Sequence, residues 1–346
     1  MNVPRIELAP GYSISRIIRG GWQLSVGHHQ AGVDEAAAIE GMRLCAETGI
    51  TTFDCADIYT GVEELIGRFL RTHRDERPIQ IHTKYVPDLD SLATLTPQNT
   101  VAVIDRSLQR LGIQRLDLVQ FHWWDYDIPG YVEAAHTLDN LRLQGKVRHI
   151  GVTNFDVAHL SEILDAGVPV VSNQVQYSVL DRRPATDMAT YCASHRVSLL
   201  CYGTLAGGFL TDRYLNAPPP QEPFENRSLT KYRLIIEEIG GWSRYQNLLQ
   251  VLRAIADKHG TNIAAIASRY VLDQPQVAGA IIGMRSNHRI AEAHRLFDLP
   301  LSSDDLGLID ACLTQSAGPR GPVFGLERIK DGRHAGIMKM NLGQPS

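Results

Sequence analysis

Short apolar runs alternate along this chain with helix-length amphipathic segments, regularly enough to fix a fold class. The runs at 19–23, 51–54, 79–83, 116–122, 149–152, 170–174, 198–202 and 279–282 predict eight strands. Between them, Val101, Ile104, Leu108 and Leu111 recur at helical spacing on one face, after Thr96 as a cap and Pro97 at the first helical position, and before Gly112 as a stop. The segments 34–47 and 156–166 likewise open on an aspartate and close on Gly49 and Gly167. Strands separated by helices lie parallel, so the pattern predicts an α/β protein.

A parallel sheet either stays open or closes into a barrel. An open dinucleotide-binding sheet would carry G-x-G-x-x-G between its first strand and helix, whereas Gly20-Gly21-Trp22 leads into a loop. The expectation is therefore a single-domain (β/α)8 TIM barrel, with its core over about 19–316 and a mostly irregular tail over 317–346. Functional groups then gather at the C-terminal ends of the strands. Residues 6–17, turning at Pro10-Gly11, predict a β-hairpin that caps the barrel bottom. The stretch 214–242, opening near Pro218-Pro219-Pro220, predicts a long functional loop after strand seven, and 289–297 and 303–314 predict late helices.

Composition narrows the partner. The chain has 346 residues, 44% hydrophobic and 21% charged, with a formal net charge of −4, which provides no basic footprint for nucleic acid or an anionic membrane. A small molecule is the expected partner; oligomeric state stays open. Five scattered cysteines without C-x-x-C spacing suggest a reducing compartment and no zinc site, and Arg5 and Glu7 interrupt any signal-peptide core, so a cytoplasmic location is expected. The charged run at 71–77 mixes signs and reads as a solvated surface.

Four residues fall at or just after predicted strand ends: Asp54, Tyr59, Lys84 and His122. Singly, each has an ordinary structural role; together they suit proton transfer to a carbonyl oxygen. A tyrosine with an ordinary pKa of about 10 donates poorly near neutrality, and an adjacent ammonium stabilises its phenolate. Asp54 would keep Lys84 charged, and His122 either orients the substrate oxygen or shares the proton transfer. No nucleophile or metal cage accompanies them.

At these positions the chain resembles the aldo-keto reductase superfamily. Phe53-Asp54-Cys55-Ala56-Asp57-Ile58-Tyr59 followed by Glu63-Glu64-Leu65-Ile66-Gly67 looks like its tyrosine signature, His82-Thr83-Lys84-Tyr85 like its lysine strand, and Leu116 to His122 like its histidine strand. Gly151-Val152-Thr153-Asn154-Phe155 and Asn173-Gln174-Val175-Gln176-Tyr177-Ser178 are similar to the segments that hold the nicotinamide carboxamide, and Tyr202 to the ring that stacks on it. Gly203-Thr204-Leu205-Ala206-Gly207-Gly208 resembles the pyrophosphate loop, and Gly283 to Ala293 the adenosine motif.

The resemblance implies hydride transfer between NADP(H) and a carbonyl or alcohol, with Asp54, Tyr59, Lys84 and His122 catalytic. Cofactor contacts are expected from Gly21, Trp22, Thr153, Asn154, Gln174, Tyr202, Gly203, Thr204, Leu205, Gly207, Gly283, Arg285, Arg289 and Glu292. Arg289, helped by Arg285, favours NADPH because guanidinium geometry suits a 2′-phosphate; Ala293 and Gly283 depart from the family's usual asparagine and lysine, and NADH stays possible. Trp22, Trp123, Trp124, Tyr232 and Trp242 are expected to line a pocket for an aldehyde, ketone or sugar. Two alternatives accompany this reading: an NADPH-binding regulatory or sensor subunit with incidental turnover, and a metal-dependent barrel hydrolase or isomerase using some of the thirteen histidines. The basic tail 328–334 either folds over the barrel mouth or engages another subunit.

Overall fold

A computed structural model describes residues 2–26, 33–73, 77–224, 227–284, 290, 293–314, 316 and 318–342. An antiparallel hairpin, β1 (Arg5–Ala9) and β2 (Tyr12–Ser15), precedes eight parallel strands. These are β3 (Ile17–Gly20), β4 (Thr52–Asp54), β5 (Gln80–Tyr85), β6 (Leu116–Phe121), β7 (Val147–Thr153), β8 (Val170–Gln176), β9 (Ser198–Tyr202) and β10 (Val277–Gly283). β10 pairs with both β3 and β9, which closes the barrel.

Helices α1 (Glu35–Glu47), α2 (Val62–Thr72), α3 (Pro97–Leu111), α4 (Tyr131–Leu143), α5 (Val157–Asp165) and α6 (Asp187–His195) follow successive strands. Their ends are set by local chemistry. Asp34 and Asp156 accept from the backbone N–H groups of Ala37 and His159, Thr96 and Asn99 form a reciprocal capping box, and Gly112 turns left-handed to end α3. Each such cap is worth roughly 1 kcal/mol.

The stretch expected to be a loop after β9 contains α7 (Arg227–Glu238), and Trp242 opens α8 (Trp242–Lys258) rather than lining that loop. Its apolar side chains need a partner, and Leu229, Tyr232, Ile235 and Ile236 supply one by burying against the main core. α9 (Ile263–Leu272) and a helix over Ser303–Leu313 complete the shell.

Alternation along each strand sorts residues between two environments. Outward positions such as Phe53, Tyr85, Phe121 and Val152 pack under the helices. Leu118 and Leu200 join Ile14, Ile18 and Ala278 in a separate interior cluster, plugged from below by Tyr12 of the hairpin. Tyr12 bonds His82 Nε2 through its hydroxyl at 2.9 Å, so the hairpin caps the barrel bottom as expected. Above this apolar plug the interior becomes polar. Asp54, Lys84, Gln120 and Gln174 are all buried there.

The tail folds over the barrel mouth. A short helical turn, Gly325–Arg328, places Phe324 beside His122 with ring centroids 5.5 Å apart. Arg328 donates to the carbonyls of Trp123 and Asn154, each at 2.9 Å. Met340 and Leu342 extend the tail to the loop after β5, where the Met340 carbonyl accepts from Leu89 N–H and Leu342 N–H donates to Asp88. Among the described residues, no helix is long and apolar enough to cross a membrane.

Candidate active site

Asp54, at the end of β4, lies in register with His82 of β5, two positions before Lys84. This parity points both side chains inward, where Lys84 Nζ donates to Asp54 Oδ2 at 2.6 Å and to the Cys55 carbonyl at 3.0 Å. Gly21 makes the junction possible: its N–H bonds the Asp54 carbonyl at 2.8 Å, and an added Cβ would lie 2.7 Å from that oxygen. Its expected contact with a cofactor is thus joined by a packing role that any side chain would disrupt.

Tyr59 occupies the turn before α2, fixed by its N–H to the Ala56 carbonyl and by Val62 N–H to its own carbonyl, both at 3.0 Å. Lys84 Nζ lies 5.0 Å from its ring centroid, and the Trp22 ring centroid also lies 5.0 Å away. Burial pushes the phenol upward; Lys84 pulls it back only in part, so Tyr59 remains above its ordinary value. The lowering expected from Lys84 alone is therefore outweighed by burial. Burial disfavours the Lys84 ammonium, but Asp54 and Tyr59 overcome that penalty and hold it above its usual range.

His122 follows β6. Its Nδ1 lies 3.0 Å from the Thr153 carbonyl, an acceptor only, so Nδ1 carries the proton. Burial, helped by the nearby Arg328 charge, depresses the imidazole to about 3 and keeps it neutral. Nε2 is then a buried lone-pair acceptor with no hydrogen-bond partner among the described residues. Trp124 packs edge-on to His122 at 4.3 Å, and Phe324 borders the same ring.

The polar residues expected to meet a cofactor lie on three consecutive strands. Asn154, after β7, is left-handed (φ 63°) and accepts from the Tyr202 hydroxyl at 2.9 Å. Thr153 Oγ1 donates to the Gln174 carbonyl at 3.1 Å. Gln174 Nε2 donates to Asp54 Oδ1 at 2.7 Å and to Gln120 Oε1 at 2.6 Å. Two side-chain amides and a phenol ring at adjacent strand ends have the chemistry to bind and stack a planar carboxamide.

The loop after Tyr202 is left-handed at Gly203, Gly207 and Gly208, with Thr204 buried and the Leu205 carbonyl accepting from Gly208 and Leu210 N–H. A Cβ on Gly203 would strike the Tyr232 hydroxyl, and one on Gly207 would lie 2.8 Å from the Tyr232 ring, whereas Gly208 has open space. Tyr232 is thus buried against these glycines rather than lining a substrate pocket. Gly283 packs against Gln23, whose amide an added Cβ would meet at 2.6 Å. Arg285, Arg289 and Glu292 lie outside the described residues.

Two further pocket expectations are corrected. Trp123 is fully buried in the main core, its indole N–H shared between the Asp125 and Ile128 carbonyls at 3.0 Å. It continues the outward parity of Phe121. Trp242 donates to the Ala217 carbonyl at 3.0 Å and packs on Phe209, Tyr214 and Tyr245, a structural role. Trp22 and Trp124 remain beside Tyr59 and His122.

Of the two readings left open for the tail, the structure shows the fold over the mouth, and it adds Glu327, which the sequence did not single out. Glu327 is buried with Arg183 and Lys231, each at 3.3 Å, and Arg183 also pairs with buried Asp181 at 2.7 Å. Burial opposes the Glu327 charge, yet Lys231 and Arg183 bring it down to about 2. Lys231 Nζ lies 3.5 Å from the Tyr202 hydroxyl, which ties this network to the mouth.

The aldo/keto reductase family profile matches residues 16–314. The chain belongs to the aldo/keto reductase family. It is 27% identical over 321 residues to aldo-keto reductase YhdN of Bacillus subtilis, covering 91% of this chain and 95% of that protein. Glyoxal reductase of the same organism is 28% identical over 275 residues, covering 79% and 83%. The structure of glycerol dehydrogenase AKR11B4 from Gluconobacter oxydans superposes with a TM-score of 0.77 at 24% identity, covering 93% of this chain and 99% of that one, a likeness of fold. Membership in this aldo/keto reductase family supports nicotinamide-dependent carbonyl reduction as the reaction class.

Proposed function

We propose that this aldo/keto reductase reduces a small aldehyde or ketone reversibly, with Tyr59 as the general acid. The observation that carries this reading is the buried Lys84–Asp54 pair, 2.6 Å long, with its ammonium 5.0 Å from the Tyr59 ring at the barrel mouth. The nicotinamide would supply the hydride. Asn154 and Gln174 would hold its carboxamide, Tyr202 would stack on it, and the 203–208 loop would receive its pyrophosphate. Arg289 and Arg285 favour the 2′-phosphorylated form, NADPH.

During reduction the carbonyl oxygen acquires negative charge, which a poised phenol neutralises. Lys84 stabilises the phenolate left behind, and Asp54 keeps Lys84 charged and aimed. His122, neutral with its proton on Nδ1, has no proton on Nε2 to donate. Its Nε2 can accept a hydrogen bond but has none to give a carbonyl oxygen, which leaves Tyr59 as the proton donor. In oxidation the Tyr59 phenolate would remove the alcohol proton.

Trp22, Trp124 and Phe324 form the apolar border of this site, which suits a small carbonyl compound with one polar end. The similarity to a protein named glyoxal reductase supports small aldehydes. A panel of aldehydes, ketones and sugars assayed with NADPH and NADH tests the reading. Efficient NADPH-linked turnover of small aldehydes is expected; failure of every carbonyl with both nicotinamides would overturn it.

A further inference from the structure

We infer that Gln120 is a positioning residue that sets the proton affinity of Tyr59 by holding Asp54 and Gln174 in one buried hydrogen-bonded unit. The inference rests on the Tyr59 mechanism proposed above. Gln120 lies on β6 in register with Lys84 of β5 and has no solvent exposure. Its Nε2 donates to Asp54 Oδ1 at 2.9 Å, while its Oε1 accepts from Gln174 Nε2 at 2.6 Å. Gln174 Nε2 also reaches Asp54 Oδ1 at 2.7 Å.

The two Asp54 oxygens therefore have different partners. Oδ2 serves Lys84, and Oδ1 accepts from two amide donors. The amide orientation is forced, because a carboxylate accepts only and must face the Gln120 NH2 group. These neutral donors spread the Asp54 charge without adding charge of their own. Asp54 raises the Tyr59 proton affinity and Lys84 lowers it, so the balance at the phenol depends on how much Asp54 charge is left uncompensated. Without Gln120, Asp54 presents more negative charge to Lys84 and Tyr59, and the phenolate becomes harder to form. Gln174 also loses an acceptor on the side away from the mouth. Gln120 itself sits beneath the reacting atoms and acts through its neighbours.

The test uses the full chain with Gln120→Met, close in size but without hydrogen bonds, and Gln120→Asn, which keeps a shorter amide. The readouts are the pH profile of alcohol oxidation, kcat and KM for a carbonyl, nicotinamide affinity by fluorescence, and the thermal midpoint. Oxidation requires phenolate, so its rising limb should move to higher pH by about one unit in Gln120→Met. In reduction kcat should fall about tenfold, with the carbonyl KM changed less than twofold. Gln120→Asn should shift the limb in the same direction by less, and it decides the matter if Gln120→Met fails to fold. Folded variants with an unmoved limb, whether active or merely less stable, would overturn the inference. A wild-type protein that turns over no carbonyl would instead overturn the functional reading beneath it.

Discussion

His122 donates Nδ1–H to the carbonyl of Thr153 at 3.0 Å, and this one contact decides what the histidine can do at the mouth. It fixes the tautomer, leaves Nε2 as an acceptor and, with burial, keeps the ring neutral. In the proposed mechanism Tyr59, and not His122, supplies the proton to a carbonyl. Reduction should show no limb between pH 5 and 7 from His122, whose pKa is held down to about 3. A rate that falls as His122 deprotonates through this range would contradict the assignment.

The same depression has a cost in stability. His122 and His82 are both lowered from 6.5 to about 3, so the folded state refuses protons that the unfolded chain accepts. Stability is then full above about pH 6.5 and lost as pH falls toward about 3, at up to roughly 1.4 kcal/mol per histidine per pH unit. Urea unfolding between pH 7 and 4.5 should show this decline, and His122→Asn should make it shallower.

The adjacent tryptophans should separate stability from substrate binding. Trp123→Ala empties a fully buried site and should cost about 3–5 kcal/mol in denaturant unfolding. Trp124→Ala should cost much less and raise the KM for carbonyls, because its ring lies against His122. Interchanged effects would return Trp123 to the pocket.

Arg328 pins the tail through two carbonyls at the mouth. Arg328→Met should free that end of the tail, with faster amide exchange over 318–342 and a loss of about 1–3 kcal/mol. Glu327→Gln should act on the same segment by leaving Lys231 and Arg183 short of negative charge, at about 3 kcal/mol. Unchanged exchange in both variants would show that the tail is held by other contacts.

The legible parts of this protein are those encoded locally. Asp34, Thr96, Asp156 and Gly112 announce helix ends because their partners lie within a turn. The strand ends carrying Asp54, Lys84 and His122 followed from the apolar runs. Strand alternation also held a signal that went unused: Leu118, Gln120 and His122 share inward parity, whereas Phe121 and Trp123 share outward parity. It would have marked Gln120 as interior and moved Trp123 into the core. Which of its two readings the tail follows was opaque for another reason. Arg328 bonds backbone carbonyls about half the chain away, and carbonyls leave no mark in a side-chain pattern. Likewise Tyr232 faces glycines, whose need for it appears only once β9 and α7 are packed together.

The most direct test of the account is Tyr59→Phe, assayed for nicotinamide binding and carbonyl reduction in the same preparation. Loss of the hydroxyl removes the proposed proton donor and leaves the ring to pack against Trp22. Nicotinamide affinity is expected within a few fold of wild type, with reduction slowed by about 100-fold or more. Undiminished reduction by the phenylalanine variant would contradict it.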